Sequence, residues 1–269
     1  MYMDKDVQRG YNEYLRLEEG PGKDGMMDVA LLVMEAGDSY TIEEADKEVA
    51  CLLFDGDVNM TWDDQSVDMA RPNPFDYNPW CLLVHKQTKI VITAKGPSNV
   101  YIQKTLNDKV APEFPNKLFR PEDTDTWARS ANGELQGCCK RDVRTCFDLD
   151  NAPYSNMVLG EVVNLPGKWT SYPPHHHPQP EIYYYKTNPS HGFAYAEVGE
   201  DVLKVHNNDT VFIQPGLTHP QCTPPGYALW YLWGIRHLKD NRYGTPTFVP
   251  DHLWVQKPGQ PYWGDDKHA

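Results

Sequence analysis

The sequence lacks the features that mark several large classes of protein. No apolar stretch approaches the roughly 20 residues that a membrane-spanning helix needs, and no basic segment followed by an apolar run stands near the start, so no membrane association and no signal peptide are expected. The six cysteines form no Cys-x-x-Cys pair, which favours reduced thiols over a disulfide framework or a zinc knuckle. We therefore expect a cytoplasmic protein.

Positive charge is also scarce. The chain has 25 Lys and Arg against 38 Asp and Glu, a net charge of −13, so nucleic acid is not an expected partner. A Gly-rich nucleotide-binding loop is missing as well. A local basic cluster could still bind a small anion, since the net charge does not fix the charge of a pocket.

The chain is rich in turn residues and aromatics, with 23 Pro, 19 Gly, 16 Tyr and 8 Trp among 269 residues. Short apolar runs recur between these turns, which predicts an all-β fold of antiparallel strands in a sandwich or barrel. The predicted strands are residues 28–34, 48–54, 58–62, 80–85, 89–93, 158–164, 193–196, 202–205, 210–214 and 227–235. Asp55-Gly56-Asp57 is interpreted as a hairpin turn, and the polar, Pro-rich residues 96–122 as the connection between two similar halves.

One stretch carries the strongest chemical signal. His175 and His177 stand two residues apart, Glu181 follows four residues later, and His219 comes downstream in a Pro-Gly-x-x-His turn. Alternate side chains of an extended chain share a face, so His175 and His177 point together while His176 points away. Three imidazoles and a carboxylate suit a divalent metal, Zn foremost, with Mn and Fe also compatible.

Other side chains near this stretch are candidates for binding or catalysis. Tyr183 and Tyr185 share the face of Glu181 if the strand is regular, where they either pack or hydrogen-bond a ligand. Arg141 and Arg144 form a basic group that is either a solvated strand end or a clamp for a carboxylate. His85, isolated at a strand end, is interpreted as structural.

The order His-x-His-x3-Glu and then Pro-Gly-x-x-His resembles the two cupin motifs. A wider pattern resembles the KduI/IolB family, and it comprises Arg120-Pro121-Glu122-Asp123, Arg141-Asp142-Val143-Arg144, Ser171-Tyr172-Pro173-Pro174-His175, Glu181-x-Tyr183-Tyr184-Tyr185, Pro189, Gly192-Phe193 and Pro224-Pro225-Gly226-Tyr227. The resemblance is good over roughly residues 115–255, while the first hundred residues match mainly in their rhythm of strands.

The resemblance implies a bicupin, two antiparallel β-barrels in one chain. Residues 1–115 would form a cupin-like domain without metal ligands, and residues 116–269 a cupin domain with the metal held by His175, His177, Glu181 and His219. It also implies an aldose–ketose isomerase acting on an anionic sugar acid. The expected substrate is 5-deoxy-glucuronate of myo-inositol breakdown, with 5-dehydro-4-deoxy-D-glucuronate of uronate degradation as the alternative.

Such an isomerase removes a proton beside a carbonyl and returns it to the neighbouring carbon, and a divalent metal offsets the charge that develops. Tyr183, Tyr185 and Glu161 are the candidates to move that proton, unless a hydride shift makes a base unnecessary. Arg141 or Arg144, with Lys168 as a further choice, would bind the carboxylate. Open sheet edges favour a homo-oligomer.

Two other functions are compatible with the same motif. An iron-dependent cupin dioxygenase would use the same ligands and would consume oxygen. A non-catalytic sugar-binding cupin would keep the barrel without needing a metal, and the four ligand-type residues argue against it.

Overall fold

The structure is a computed structural model that describes residues 1–130, 134–257 and 260–263. Its first half contains ten strands: β1 (Tyr2–Met3), β2 (Gly10–Leu15), β3 (Asp28–Met34), β4 (Ser39–Glu43), β5 (Lys47–Trp62), β6 (Gln65–Arg71), β7 (Trp80–Val84), β8 (Lys89–Ala94), β9 (Ser98–Leu106) and β10 (Lys117–Phe119). One short helix, α1 (Gly20–Gly25), lies between β2 and β3.

The described part of the second half contains twelve strands: β11 (Asp125–Arg129), β12 (Arg141–Phe147), β13 (Met157–Asn164), β14 (Trp169–Thr170), β15 (His175–His176), β16 (Glu181–Asn188), β17 (Phe193–Val198), β18 (Asp201–His206), β19 (Thr210–Ile213), β20 (Gln221–Cys222), β21 (Ala228–Arg236) and β22 (Thr247–Phe248). Short 3₁₀ segments cover Pro121–Asp123, Glu134–Gly137 and Pro250–Gln256. Within the described ranges, none of the helices has the length and apolar character needed to cross a bilayer.

Antiparallel pairing joins these strands into two curled sheet systems. The first half forms a nine-stranded sheet with the central order β10-β7-β5-β9-β3-β2. The second half forms a seven-stranded sheet in the order β1-β19-β16-β21-β13-β12-β11, a four-stranded sheet β14-β20-β17-β18, and the pair β15-β22. This architecture confirms the predicted all-β bicupin fold of antiparallel sheets.

Three apolar clusters explain why many strands are continuous apolar runs. The "first inner cluster" lies in the first half and includes Leu32, Cys51, Leu53, Leu82 and Ile102. The "second inner cluster" consists of Val162, Tyr183, Tyr185, Ala194, Ala196, Val198, Val205, Val211, Ile213, Leu229 and Tyr231. The "junction cluster" contains residues of both halves that alternate along the strands with those of the two inner clusters, among them Leu31, Leu52, Leu83, Tyr184 and Trp230. Strands buried on both faces need apolar residues at every position.

Two predictions about the chain path were wrong. Asp55-Gly56-Asp57 is not a hairpin, because β5 continues through it with a register shift between Leu53 and Asp55. Gly56 has φ 112°, and a Cβ there would lie 2.3 Å from Ser98 Oγ, so only glycine fits this bend. Residues 96–122 are not merely a connection either, since they contain β9, which pairs with both β3 and β5.

Strand pairing crosses the predicted division after residue 115 twice. β1 adds to β19 of the second half, and the Met1 amino group donates a hydrogen bond to Phe212 O at 2.6 Å. In the opposite direction β10 pairs with β7 of the first half. The two halves are thus joined by exchanged strands as well as by the junction cluster, and the division at 115 stays a prediction.

Candidate metal centre and substrate pocket

Neighbouring strands bring the histidines and Glu181 to one end of the second barrel. Glu181 opens β16, where strand pairing places it between Ile213 of β19 and Ile235 of β21. His177 precedes β16, and its carbonyl accepts a hydrogen bond of 2.8 Å from Gly216 N. That bond fixes the turn after β19, and this turn places the His219 ring next to that of His177.

Three of the four predicted ligands meet there. One ligand atom from each of His177, Glu181 and His219 lies within 4.8 Å of the other two, and all three side chains are buried. His177 Nε2 is 3.1 Å from Glu181 Oε2, and His219 Nε2 is 3.3 Å from the same oxygen. This group is the "metal triad" below.

The donor set of the triad fits a divalent metal. The His177 Nδ1 lies 2.9 Å from Gln179 O, and the His219 Nδ1 lies 2.9 Å from Leu217 O. A ring that donates its Nδ1–H to a carbonyl presents the Nε2 lone pair to a metal. His219 Nε2 is buried and has no hydrogen-bond partner among the described residues. Two such nitrogens facing one carboxylate oxygen form a ligand set for Zn, Mn or Fe.

His175 lies beside the triad and not within it. Its ring contacts that of His219 at a centroid distance of 4.7 Å and that of Phe248 at 5.5 Å. Its Nδ1 is 3.2 Å from Pro173 O, so a backbone carbonyl holds Nδ1 here as in His177 and His219. Burial and the neighbouring His219 lower the pKa of His175 to about 4, so its ring is neutral at pH 7, the form that coordinates metals.

Tyr183 and Tyr185 face the barrel interior, on the same side of β16 as Glu181. Both belong to the second inner cluster, whereas Ile182 and Tyr184 between them belong to the junction cluster. The Tyr183 ring lies 5.9 Å from that of His219. The Tyr185 hydroxyl is buried without a hydrogen-bond partner among the described residues. Burial raises the pKa of the Tyr183 and Tyr185 phenols well above that of an ordinary tyrosine, so both keep their protons.

A chain of hydroxyls leads from Tyr183 across the barrel. The Tyr183 hydroxyl is 3.2 Å from Ser171 Oγ, which is 3.3 Å from the Tyr231 hydroxyl. Tyr231 is in turn 2.7 Å from Thr170 Oγ1. Ser171 has φ 52°, an unusual backbone conformation for a residue other than glycine, and this turn holds its hydroxyl between the two phenols.

Basic residues stand at the far end of that hydroxyl chain. Arg141, half-buried on β12, acts electrostatically on Tyr231 and donates a hydrogen bond of 2.9 Å to Cys139 O. Burial raises the pKa of the Cys139 thiol to about 11, while the charges of Arg141 and Lys168 oppose that rise. Arg129 is the strand partner of Arg141. Positive charge is therefore concentrated here in an otherwise acidic protein.

Arg144 does not lie in the pocket. Its side chain is on the junction side of β12, where it donates to the carbonyls of Pro74, Phe75 and Tyr77 at 2.8–3.0 Å and to Glu161 Oε1 at 2.9 Å. It is 5% exposed. Because strand residues an odd number of positions apart face opposite sides, Arg141 shares the face of Val143, which packs against the second inner cluster, and Arg144 does not.

Glu161 also faces the junction and is completely buried there. Its Oε1 accepts hydrogen bonds from Arg71 at 2.5 Å and from Arg144 at 2.9 Å. Met157, Leu159 and Val163, which alternate with it along β13, all belong to the junction cluster. The predicted roles of Glu161 in proton transfer and of Arg144 in carboxylate binding are therefore wrong, because both side chains serve a buried ion-pair cluster between the halves.

Several pocket residues were not predicted from the sequence. The position of Tyr231 could have been inferred from the sequence, because it shares a strand face with Leu229 and the odd-numbered residues of that strand face the barrel interior. Tyr243, whose ring packs on His177 at 4.9 Å, could not be inferred in this way, because it lies in an irregular segment. Gln221 could not be inferred either. It is 1% exposed, and neither amide atom has a hydrogen-bond partner among the described residues.

Comparison with known proteins agrees with this geometry. The family model described as "KduI/IolB family" matches residues 2–255. The 5-deoxy-glucuronate isomerase of Bacillus subtilis (strain 168) is 26% identical over 219 residues, covering 75% of this chain and 78% of that protein. The structure of an IolB-like protein from Salmonella typhimurium LT2 superimposes with a TM-score of 0.83 at 19% identity, covering 95% of this chain and 99% of the other.

A more distant cupin shares the fold alone. Oxalate decarboxylase from Lactobacillus farciminis superimposes with a TM-score of 0.66 at 12% identity, covering 94% of this chain and 88% of that one. The family match, by contrast, extends over nearly the whole sequence, including the first hundred residues where the motifs are weak. The chain belongs to the KduI/IolB family.

Proposed function

We propose that this protein is a metal-dependent isomerase that converts the aldehyde form of a sugar acid into the ketone form, with 5-deoxy-glucuronate as its substrate. The observation that carries the proposal is the metal triad inside the second barrel of a KduI/IolB chain. The relatives named 5-deoxy-glucuronate isomerase support the choice of substrate. The alternative uronate, 5-dehydro-4-deoxy-D-glucuronate, has the same aldehyde end and carboxylate.

In this proposal His177, Glu181 and His219 hold the metal, and His175 joins them as the fourth ligand from its place against His219. The metal would supply positive charge beside the carbonyl and hydroxyl oxygens of the two carbons between which the proton moves. Zn is the first choice, and the donor set also suits Mn and Fe.

The other residues inside the second barrel are assigned separate roles in proton transfer and in substrate binding. Tyr183 Oη, close to His219 and linked through Ser171 to Tyr231, keeps its proton and is placed to donate it to an oxygen at the reacting carbonyl. Tyr185, deeper in the barrel, offers an unpaired hydroxyl to a substrate oxygen. Arg141 binds the carboxylate in a charge-assisted hydrogen bond, and Lys168 adds positive charge at the same end.

The test of this function is an isomerisation assay under argon with both uronates. We expect turnover of 5-deoxy-glucuronate without NAD, ATP or oxygen. A chelator should abolish turnover, and a divalent metal should restore it, because the positive charge at the reacting oxygens comes from the bound metal. The control is an oxygen electrode on the same metal-loaded protein. Oxygen consumption with neither uronate converted would replace the isomerase by the dioxygenase alternative.

We also propose a cytoplasmic homo-oligomer. All six cysteines are free thiols, which fits a reducing compartment. β11 is an edge strand with all five residues exposed, and Trp127 in it is 55% exposed. Edges of this kind are commonly covered by another chain. Light scattering at micromolar concentration should give at least a dimeric mass, and a monomeric mass would contradict the assembly without affecting the proposed reaction.

A further inference from the structure

Gln221 is buried in the second barrel with its hydrogen-bonding capacity unused. Strand β20 places it opposite Ala196 of β17 and Thr170 of β14. Ala196 belongs to the second inner cluster, and residues opposite each other in a sheet share a face, so the Gln221 side chain points into the barrel. It is 1% exposed, and both Nε2 and Oε1 lack partners among the described residues. A buried amide left in this state is costly, which is characteristic of a group that pairs with a ligand.

The neighbours of Gln221 locate it along the pocket. Its strand partner Thr170 bonds the Tyr231 hydroxyl at 2.7 Å, and Arg141 acts electrostatically on Tyr231. Gln221 also follows His219 of the metal triad by two residues, so their Cα atoms are at most about 7 Å apart, and Gln221 lies between the triad and Arg141. A substrate that has its carbonyl at the triad and its carboxylate at Arg141 therefore brings the carbons between these two ends to Gln221.

The two candidate uronates differ at those carbons. Open-chain 5-deoxy-glucuronate has a hydroxyl on C4 and a methylene at C5. The alternative, 5-dehydro-4-deoxy-D-glucuronate, has a methylene at C4 and a ketone at C5. A hydroxyl both donates and accepts a hydrogen bond, as the amide of Gln221 does, whereas a ketone only accepts. The ketone would satisfy Nε2 and leave Oε1 buried without a donor.

We infer that Gln221 is a specificity-determining residue that hydrogen-bonds the C4 hydroxyl and so selects 5-deoxy-glucuronate over the 4-deoxy-5-keto uronate. This inference rests on the proposed function and adds to it the residue that distinguishes the two substrates. Gln221 is neutral and does not belong to the metal triad. Replacing Gln221 should therefore change the preference between the two substrates and not the proton transfer itself.

The test compares three variants on both uronates. Gln221→Met keeps the length of the side chain and removes both amide atoms. Arg141→Ala removes the contact to the carboxylate that both substrates carry. Thr210→Val is the matched control, because the buried Thr210 Oγ1 is also unpaired but lies on the opposite face of β19 from Val211 and Ile213 of the second inner cluster.

Gln221→Met should lower kcat/KM for 5-deoxy-glucuronate by about ten- to a hundredfold, the worth of one or two hydrogen bonds, and change the value for the other uronate by about threefold or less. Arg141→Ala should lower both by about ten- to a hundredfold. Thr210→Val should lower neither. Metal content and melting temperature are measured in each variant, and Gln221→Met is expected to keep both, since an apolar residue suits a dry site.

Equal losses on the two uronates in Gln221→Met, or no loss on either, would overturn the inference. Binding of borohydride-reduced 5-deoxy-glucuronate, which keeps the C4 hydroxyl but does not isomerise, gives a second readout by calorimetry. If the wild type converts neither uronate, the proposed function fails by itself. Weaker binding of the reduced acid to Gln221→Met would then still support the contact, and equal binding would refute it.

Discussion

Replacing His177 by alanine is expected to lower the affinity for the metal by at least about a hundredfold, since even residues that only orient a ligand contribute ten- to a hundredfold. His177 faces Glu181 Oε2 at 3.1 Å, and its Nδ1 is fixed by the Gln179 carbonyl. No other described side chain stands in its position. The kcat should fall by roughly a hundred- to a thousandfold, because a metal at the reacting oxygens contributes several kcal/mol.

His176→Ala is the matched control for that variant. His176 is adjacent in the chain and half-buried, but its strand partner is Thr247, and it does not belong to the metal triad. Metal bound per chain, measured by elemental analysis after dialysis, should stay at the wild-type value in His176→Ala and drop in His177→Ala. Equal loss from both variants would show that the two rings do not point to opposite sides and would remove His177 from the ligand set.

The strands themselves were largely predictable from the sequence. β3 occupies Asp28–Met34 as its apolar run indicated, and β21 covers Ala228–Arg236. Local patterns missed what depends on distant partners. β9 carries polar residues such as Gln103 and Thr105, yet both are completely buried because β9 lies in the middle of a sheet next to the second half. The burial of β9 depends on tertiary packing, and the pattern of polar and apolar residues within one strand does not reveal that packing.

The metal ligands were predictable because they are close in the sequence and fixed in spacing. The substrate side of the pocket was harder, since its residues come from separate strands. Arg141 and Arg144 look alike in the sequence, and only the register of β12 decides which one faces the pocket. Glu161 is one of the three residues that the sequence offers as candidates to move the proton. In the structure its carboxylate instead forms an ion pair.

That ion pair gives the second large effect, a loss of stability in Glu161→Ala. Glu161 is fully buried between Arg71 and Arg144, which also bind the carbonyls of Leu53, Pro74, Phe75 and Tyr77. Removing the carboxylate leaves two guanidinium groups in the junction without an opposite charge. Breaking a buried pair in this way costs about 3–5 kcal/mol, a large part of the stability of an ordinary domain.

Urea unfolding of Glu161→Ala should therefore show a clearly lower midpoint than that of the wild type. Glu19→Ala is the control, because Glu19 pairs with Arg16 at 3.3 Å on the surface, where a substitution changes stability by about 0.5 kcal/mol or less. The folded Glu161→Ala protein, assayed at low temperature, should keep its metal and a kcat near the wild-type value, since Glu161 and the metal triad lie on opposite sides of the sheet. A proton-transferring role would give the reverse, a kcat lower by about a hundredfold or more at an unchanged urea midpoint. That result would return Glu161 to the active site and would require the ion-pair cluster to open during the reaction.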